Sequence, residues 1–369
     1  MTMTRRPRTA AAMGALCLVL AACSGAASSA APSPDRSASS EPSATSSVPS
    51  ATGGASVDPS TTPSAVDATA TGSATQSTTG SVTGDDPTGP SSSTAAPGSG
   101  ADGVGRQLPR GGRTIFPRYR LVGYSGAPGS TAFGRLGVGN IDKRVDEIER
   151  RATAYRDGRE VLPVLELITY VVNASPGPDG DYNSRVDDAV IRRYLAAARR
   201  HRALLLLDVQ PGRADFLPLV RELRPWLEQP DVGLALDPEW AVGPGQRPGQ
   251  VFGRTTGKEL DSVAEYLDSL ARDKGLPQKV LVFHQVASRV VRKQDDIRER
   301  PGVVVVKSVD GIGSRAMKTD TWRVLVRDLP PSIHTGFKMF FDEDTRHGAL
   351  MTPKQVLALR PKPEYVLYE

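Results

Sequence analysis

Two carboxylates, Asp237 and Glu239, stand two positions apart at the end of the aliphatic run VGLALDPEW. Neighbouring acids in a pocket can have their proton affinities pushed apart, so that one keeps its proton while the other stays ionised. Cleavage of a glycosidic bond needs that division and little else. One carboxylic acid protonates the leaving oxygen, and one carboxylate serves as nucleophile, base or electrostatic support. Glu239 is the candidate acid, Asp237 the neighbour that sets its proton affinity, and Asp342 or Asp208 the candidate second carboxylate.

Other chemistries find less support. The chain has two cysteines, Cys17 and Cys23, both near its start, so no thiol serves a folded domain downstream. Its four histidines, His201, His284, His334 and His347, show no metal-ligand spacing, and no metal or cofactor is expected. The remote alternative is a metal-assisted hydrolase using Asp208, Asp237, Glu239 and His284. GYSGAPG lacks the spacing of a nucleophile elbow, and TTGKEL lacks the glycine and the hydroxyl residue of a P-loop.

Acids can cooperate only if the fold gathers them. From Arg113 onward, short aliphatic runs alternate with amphipathic helical patterns, as in NIDKRVDEIERRATAYRDG and GKELDSVAEYLDSLARDKG. Eight runs can be counted, covering 120–124, 161–171, 203–210, 232–240, 279–286, 302–311, 335–344 and 364–369. Nearly continuous hydrophobic strands between helices argue for a parallel sheet with covered faces. Eight units in this length predict a (β/α)8 TIM-like barrel, with an open doubly wound sheet as the alternative. The connection after the sixth run reads as the least regular.

In such a barrel the C-terminal strand ends form the active-site face. Strand alternation then places Asp237 and Glu239 in the mouth behind Gly233 and Ala235. The same arithmetic selects Tyr124, Glu166, Asp208 with Gln210, either His284 or Gln285, Asp310 with Ser308, Lys338 with Asp342 and Asp344, and Tyr368. Lys338 is expected to pair with Asp342 or Glu166. Tyr124, Glu166, Gln210, Trp240, His284, Asp310, Lys338 and Tyr368 are the candidate substrate contacts. Period two turns Trp240 off the face of Glu239, which favours core packing for it over sugar stacking. The glycine-rich stretch 124–139 could form a lip over the mouth.

The N-terminus concerns location. Arg5, Arg6 and Arg8 precede an apolar run and small residues, the layout of a secretory signal. Leu20, Ala21, Ala22 and Cys23 resemble the lipobox of bacterial lipoproteins, which implies cleavage after residue 22, acylation of Cys23 and membrane anchoring through that lipid. Residues 23–112, rich in Ser, Thr, Ala, Pro and Gly, read as a disordered tether, leaving 113–369 as the barrel domain. Of the net charge of +5, the signal holds three basic residues, and residues 24–112 hold three basic against seven acidic. The remaining domain is mildly basic, with no Lys/Arg cluster interleaved with aromatics, so nucleic acid is not an expected partner.

Two resemblances follow from quoted stretches. LALDPEW resembles the fourth strand of family eighteen chitinase-like barrels, in which Asp237 would match the last Asp and Glu239 the general acid of D-x-x-D-x-D-x-E. Val232 and Ala235 replace the two earlier acids. LLLLDVQPGRADFL, VGLALDPEW, FHQV and GFKMFFDED resemble a group of actinobacterial lipoproteins and imply a lipid-anchored, extracytoplasmic barrel. The expectation is a glycoside-hydrolase-like protein acting on a cell-envelope glycan. The alternative is a non-catalytic glycan-binding lipoprotein of the same fold.

Overall fold

A computed structural model describes residues 106–369. The expected signal peptide, Cys23 and nearly all of the expected tether lie outside the described residues. The tether's last residues do not, and they pack: Leu108 is buried with the barrel interior, and Arg110 donates to Val161 O at 3.1 Å and Glu149 Oε1 at 2.7 Å.

Eight strands carry the architecture: β1 (Tyr119–Gly126), β2 (Glu160–Val172), β3 (Leu204–Val209), β4 (Val232–Leu236), β5 (Lys279–Gln285), β6 (Val303–Val309), β7 (Ile333–Met339) and β8 (Tyr365–Tyr368). Each pairs in parallel with its sequence neighbour, and β8 pairs with β1 through Leu121 opposite Tyr365 and Tyr124 opposite Tyr368. The sheet therefore closes into the expected barrel. Helices α1 (Ile141–Ala152), α2 (Asp188–Arg200), α3 (Phe216–Glu222), α4 (Arg224–Leu227), α5 (Gly257–Lys274), α6 (Arg315–Leu325) and α7 (Pro353–Leu357) fill the crossovers. Among the described residues no helix is long and apolar enough to cross a membrane.

Helix boundaries follow local chemistry. Asn140 caps α1 by accepting from Lys143 N, Thr256 caps α5 by accepting from Glu259 N, and Gly275 ends α5 in the left-handed conformation. The least regular connection follows β5, not β6. There the chain uses the short strand Val291–Arg292 and the 3-10 turn Gln294–Asp296 where a helix would stand. The segment is dense in charge and offers no sustained 3.6-residue apolar stripe. The segment after β6 instead forms α6, capped by Ser314.

Alternation splits the core in two. Leu162, Val164, Leu204, Leu206, Val280, Val282, Val304 and Val306 point inward, with Leu108, Ile115 and Tyr119 joining them in the interior cluster. Leu165, Leu167, Leu205, Leu207, Leu234, Leu236, Leu281 and Phe283 point outward against the helices. The interior is crowded where strands converge. A Cβ on Gly233 would meet Leu206 Cδ2 at 2.7 Å and Val280 O at 2.8 Å. Glycine at that inward position lets the strands approach and leaves the next inward places, Ala235 and Asp237, to lead toward the mouth.

Candidate active site

Polar residues fill the interior above this apolar plug. Glu166 (β2), Asp208 (β3), His284 (β5) and Ser308 (β6) are all buried and form a lower tier. Gln210, Asp237, Glu239, Asp310, Lys338 and Glu369 form an upper tier that lines a narrow cavity of about 80 Å³. Phe133, Trp240, Phe252, Ile312 and Phe340 give that cavity apolar walls. It shares Phe252, Val286, Asp310, Ile312, Phe340 and Glu369 with a longer groove that runs out over Arg289, Thr321 and Arg346.

The tiers are bonded unevenly. His284 Nδ1 lies 2.8 Å from Asp310 Oδ2, and Ser308 Oγ donates to Asp310 Oδ1 at 2.7 Å. Lys338 Nζ pairs with Glu369 Oε2 at 2.6 Å and Asp310 Oδ2 at 3.4 Å. Tyr365 OH donates to Glu166 Oε2 at 3.0 Å, and Gln210 Nε2 to Asp237 Oδ2 at 3.0 Å. Yet Glu166 Oε1, Asp208 Oδ1, Asp237 Oδ1, Glu239 Oε2 and His284 Nε2 are sealed from solvent with no hydrogen-bond partner in the protein. His284 Nε2 lies 3.2 Å from Glu166 Oε1 and 4.0 Å from Asp237 Oδ1, without hydrogen-bond alignment. Leaving a buried polar atom unmade costs about 1–3 kcal/mol, so five in one place mark the mouth as built for something besides stability.

Electrostatics separates the acids. Burial and the adjacent Asp237 push the Asp208 carboxyl well above the usual carboxylate range. Burial also raises Asp237, against the pull of His284, Lys338 and Gln210. Burial, with Asp237 and Asp310, pushes Glu239 up to about 8. Burial works against ionising Asp310 too, but His284, Lys338 and the hydrogen bonds from His284 and Ser308 hold it down at about 2. Desolvation disfavours charge on His284, yet Asp310 and Glu166 keep its imidazole well above the ordinary value. Glu239 thus holds a proton beside an ionised Asp310.

Most of the sequence-predicted ring is brought together: Glu166, Asp208, Gln210, Asp237, Glu239, His284, Asp310 and Lys338 all reach the mouth. Trp240 joins them for a reason strand arithmetic misses. β4 ends at Leu236 and the chain turns into a 3-10 helix, Pro238–Trp240, so both Glu239 and Trp240 face the cavity.

Four candidates lie elsewhere. Tyr124 faces outward, accepting from Arg151 Nε at 2.7 Å and packing edge-on against Phe341. Tyr368 also faces outward, its hydroxyl 2.6 Å from that of Tyr155. In both strands the inward phase belongs to the other residues, Gly123 and Ser125 on β1 and Tyr365 and Leu367 on β8. Asp342 is exposed on a turn, because β7 stops at Met339 and its alternation stops with it. Asp344, on the same turn, is buried but structural. It pairs with Lys318 at 2.9 Å and accepts from Gly313 N and Phe340 N. Lys338 consequently pairs with Asp310 and Glu369, not with Asp342 or Glu166.

Sequence reasoning missed Ser125, Tyr365, Glu369 and Phe133. A signal existed for Ser125, since the interior glycine Gly123 marks its phase as Gly233 does for Asp237. Phe133 sits in the expected lip, which is tightly folded: a Cβ on Gly137 would lie 1.7 Å from Ala127 O.

No family model and no curated protein matches the sequence. Among solved structures, a hyperthermophilic endo-beta-1,4-glucanase in complex with substrate is similar at 9% identity and a TM-score of 0.33, over 63% of this chain and 82% of that one. Dihydropteroate synthase of Xanthomonas albilineans with 4-aminobenzoic acid is similar at 13% identity and a TM-score of 0.30, over 68% of this chain and 88% of that one. Likeness at that level carries no argument about chemistry, and the barrel rests on its own strand pairings.

Proposed function

We propose that this chain is a lipid-anchored extracytoplasmic protein whose barrel cleaves or rearranges a cell-envelope glycan by carboxylate acid/base chemistry. The observation that carries the reading is the position of Glu239. Its Oε2 is dry and partnerless at the wall of an aromatic-lined cavity, next to Asp237. A carboxyl so placed is disposed to hold a proton for a leaving oxygen. Asp237 sets that proton's affinity, anchored through Gln210.

The second carboxylate changes from the sequence expectation. Asp342 faces solvent outside the cavity, and Asp208 lies beneath it. Asp310 lines the cavity and is held ionised by His284 and Lys338. It can support positive charge developing at an anomeric carbon. Trp240 supplies a flat face for a sugar ring, and the continuous groove toward Arg346 suits a polymer more than a free monosaccharide.

A reducing-sugar assay on envelope polysaccharides tests the proposal with wild type and Glu239→Gln side by side. Loss of the acid should lower turnover about 10²–10⁴-fold while binding persists. No turnover by wild type on any glycan, with both proteins binding one equally, would leave a binding module. Anchoring is tested separately: Cys23→Ala should abolish incorporation of a labelled fatty acid and release the protein from membranes.

A further inference from the structure

We infer that the floor of the mouth binds one divalent transition ion, held by Asp208, Asp237 and His284 with Glu166 in reach. Asp208, Asp237 and His284 come from three adjacent strands or their ends, and each offers a ligand atom such that all three lie within 4.8 Å of one another. Proximity of acids alone would be weak ground. The stronger observation is how each side chain is held.

Asp237 is anchored through Oδ2 by Gln210 and leaves Oδ1 without a partner. Glu166 is anchored through Oε2 by Tyr365 and leaves Oε1 without one. His284 is anchored through Nδ1 by Asp310 and turns Nε2 toward Glu166 Oε1 at 3.2 Å and Asp237 Oδ1 at 4.0 Å with no hydrogen bond made. Asp208 Oδ1 is likewise partnerless. One atom fixed and the other unclaimed, repeated on three side chains, is the arrangement by which outer-shell partners orient metal ligands. A carboxylate on the far nitrogen of a ligating histidine is its commonest form.

The spacing suits an ion. Ligands about 2.0–2.2 Å from a shared centre stand roughly 3 Å apart when adjacent and a little over 4 Å when opposite. The separations of 3.2 Å and 4.0 Å from His284 Nε2 to Glu166 and Asp237 fall in that span. One imidazole with two or three carboxylate oxygens selects Zn²⁺ or Mn²⁺ over Ca²⁺, which takes six to eight oxygens. The site takes up the remote metal alternative of the sequence, keeping Asp208, Asp237 and His284 and replacing Glu239 with Glu166. The ligands lie on different strands, so no local spacing motif announces them. The ion would sit below the cavity, whose wall includes Asp237 but not Asp208, His284 or Glu166, so the inference shares Asp237 with the glycan reading and is tested by metal uptake alone.

The test uses the purified full chain stripped with a chelator, then titrated calorimetrically with Zn²⁺ or Mn²⁺ and scanned for melting temperature. The expected result is one ion per chain and a melting temperature that climbs with metal concentration. Asp208→Asn and His284→Gln should each weaken binding at least ~100-fold, and Asp310→Asn, which holds His284 without itself touching the ion, about 10–100-fold. Mn²⁺ bound to wild type should show nitrogen hyperfine coupling from the imidazole. Absence of uptake at millimolar metal, uptake unchanged in a folded Asp208→Asn, or bound Mn²⁺ without nitrogen coupling would each overturn the inference. The nitrogen coupling needs no variant, so it decides even if His284→Gln fails to fold. Metal uptake and sugar release are read separately, and either reading can fall alone.

Discussion

The barrel buries charge in two places and treats it differently in each. In the shell between strands and helices, Lys279 donates to Gln229 O and Val232 O, Lys307 to Leu325 O and Gln294 Oε1, and Lys318 to Gly311 O and Lys338 O while pairing with Asp344. These ammonium groups are occupied by carbonyls at the ends of neighbouring elements, which ties strand to connection. In the mouth, five buried polar atoms make no hydrogen bond. The other two such atoms among the described residues, Arg144 Nε and Arg185 Nε, belong to side chains that do not line the mouth. The shell spends its buried charge on holding the fold, whereas the mouth holds groups in reserve against the stability of the chain.

This contrast can be broken most sharply at Lys318. Lys318→Met keeps the aliphatic stem but strands Asp344 and two carbonyls in the interior. Breaking a buried pair in this way should cost about 3–5 kcal/mol, read as a lower denaturant midpoint with an unchanged slope. A loss below 1 kcal/mol would remove the distinction between shell and mouth.

The next effect concerns pH. Burial lowers Lys279 and Lys307 to about 7 each, while an unfolded lysine titrates near 10.4. Between those values the unfolded chain binds more protons than the folded one. The two lysines should therefore contribute stability that rises with pH from about 7 to 10, by at most about 1.4 kcal/mol per unit each, against the opposite pull of Glu239 and His284, which hold their protons longer when folded. Urea unfolding at pH 7 and pH 9 checks the sign, and Lys307→Met should flatten the rise. An identical pH dependence in wild type and Lys307→Met would contradict the assignment.

Asp208→Asn should act in the opposite sense to Lys318→Met. It removes one of the mouth's crowded acids, whose burial and proximity to Asp237 already resist ionisation. In metal-free protein it should raise stability by roughly 0.5–2 kcal/mol. A clear destabilisation would place Asp208 with the structural charges. The smallest effect belongs to Trp240→Ala, which should weaken glycan binding by about 1 kcal/mol, the value of one aromatic contact, with little change in melting temperature.

Sequence patterning resolves the barrel because its strands announce themselves as aliphatic runs of the right length, and because inward glycines fix their phase. Asp237 behind Gly233 is read correctly on that basis, and Gly336 marks the same phase for Lys338. Phase fails on β8, where Tyr365 and Tyr368 offer an aromatic residue on each face, and on β1, where Tyr124 outweighs Gly123 and Ser125. It fails at Asp342 for a different cause, since nothing in GFKMFFDED marks where the strand stops. The mouth's composition is legible, but its bonding is not. That His284 is held by Asp310 while Lys338 turns to Glu369 depends on contacts between strands far apart in sequence.

The central claim is that the partnerless acids of the mouth are kept for chemistry and not for folding. The most direct measurement is the denaturant midpoint of Glu239→Gln, taken from the same preparation as its rate of sugar release. We predict a midpoint equal to or above that of wild type while the rate falls a hundredfold or more. A midpoint that drops enough to account for the lost rate would make Glu239 a residue of the fold and contradict the claim.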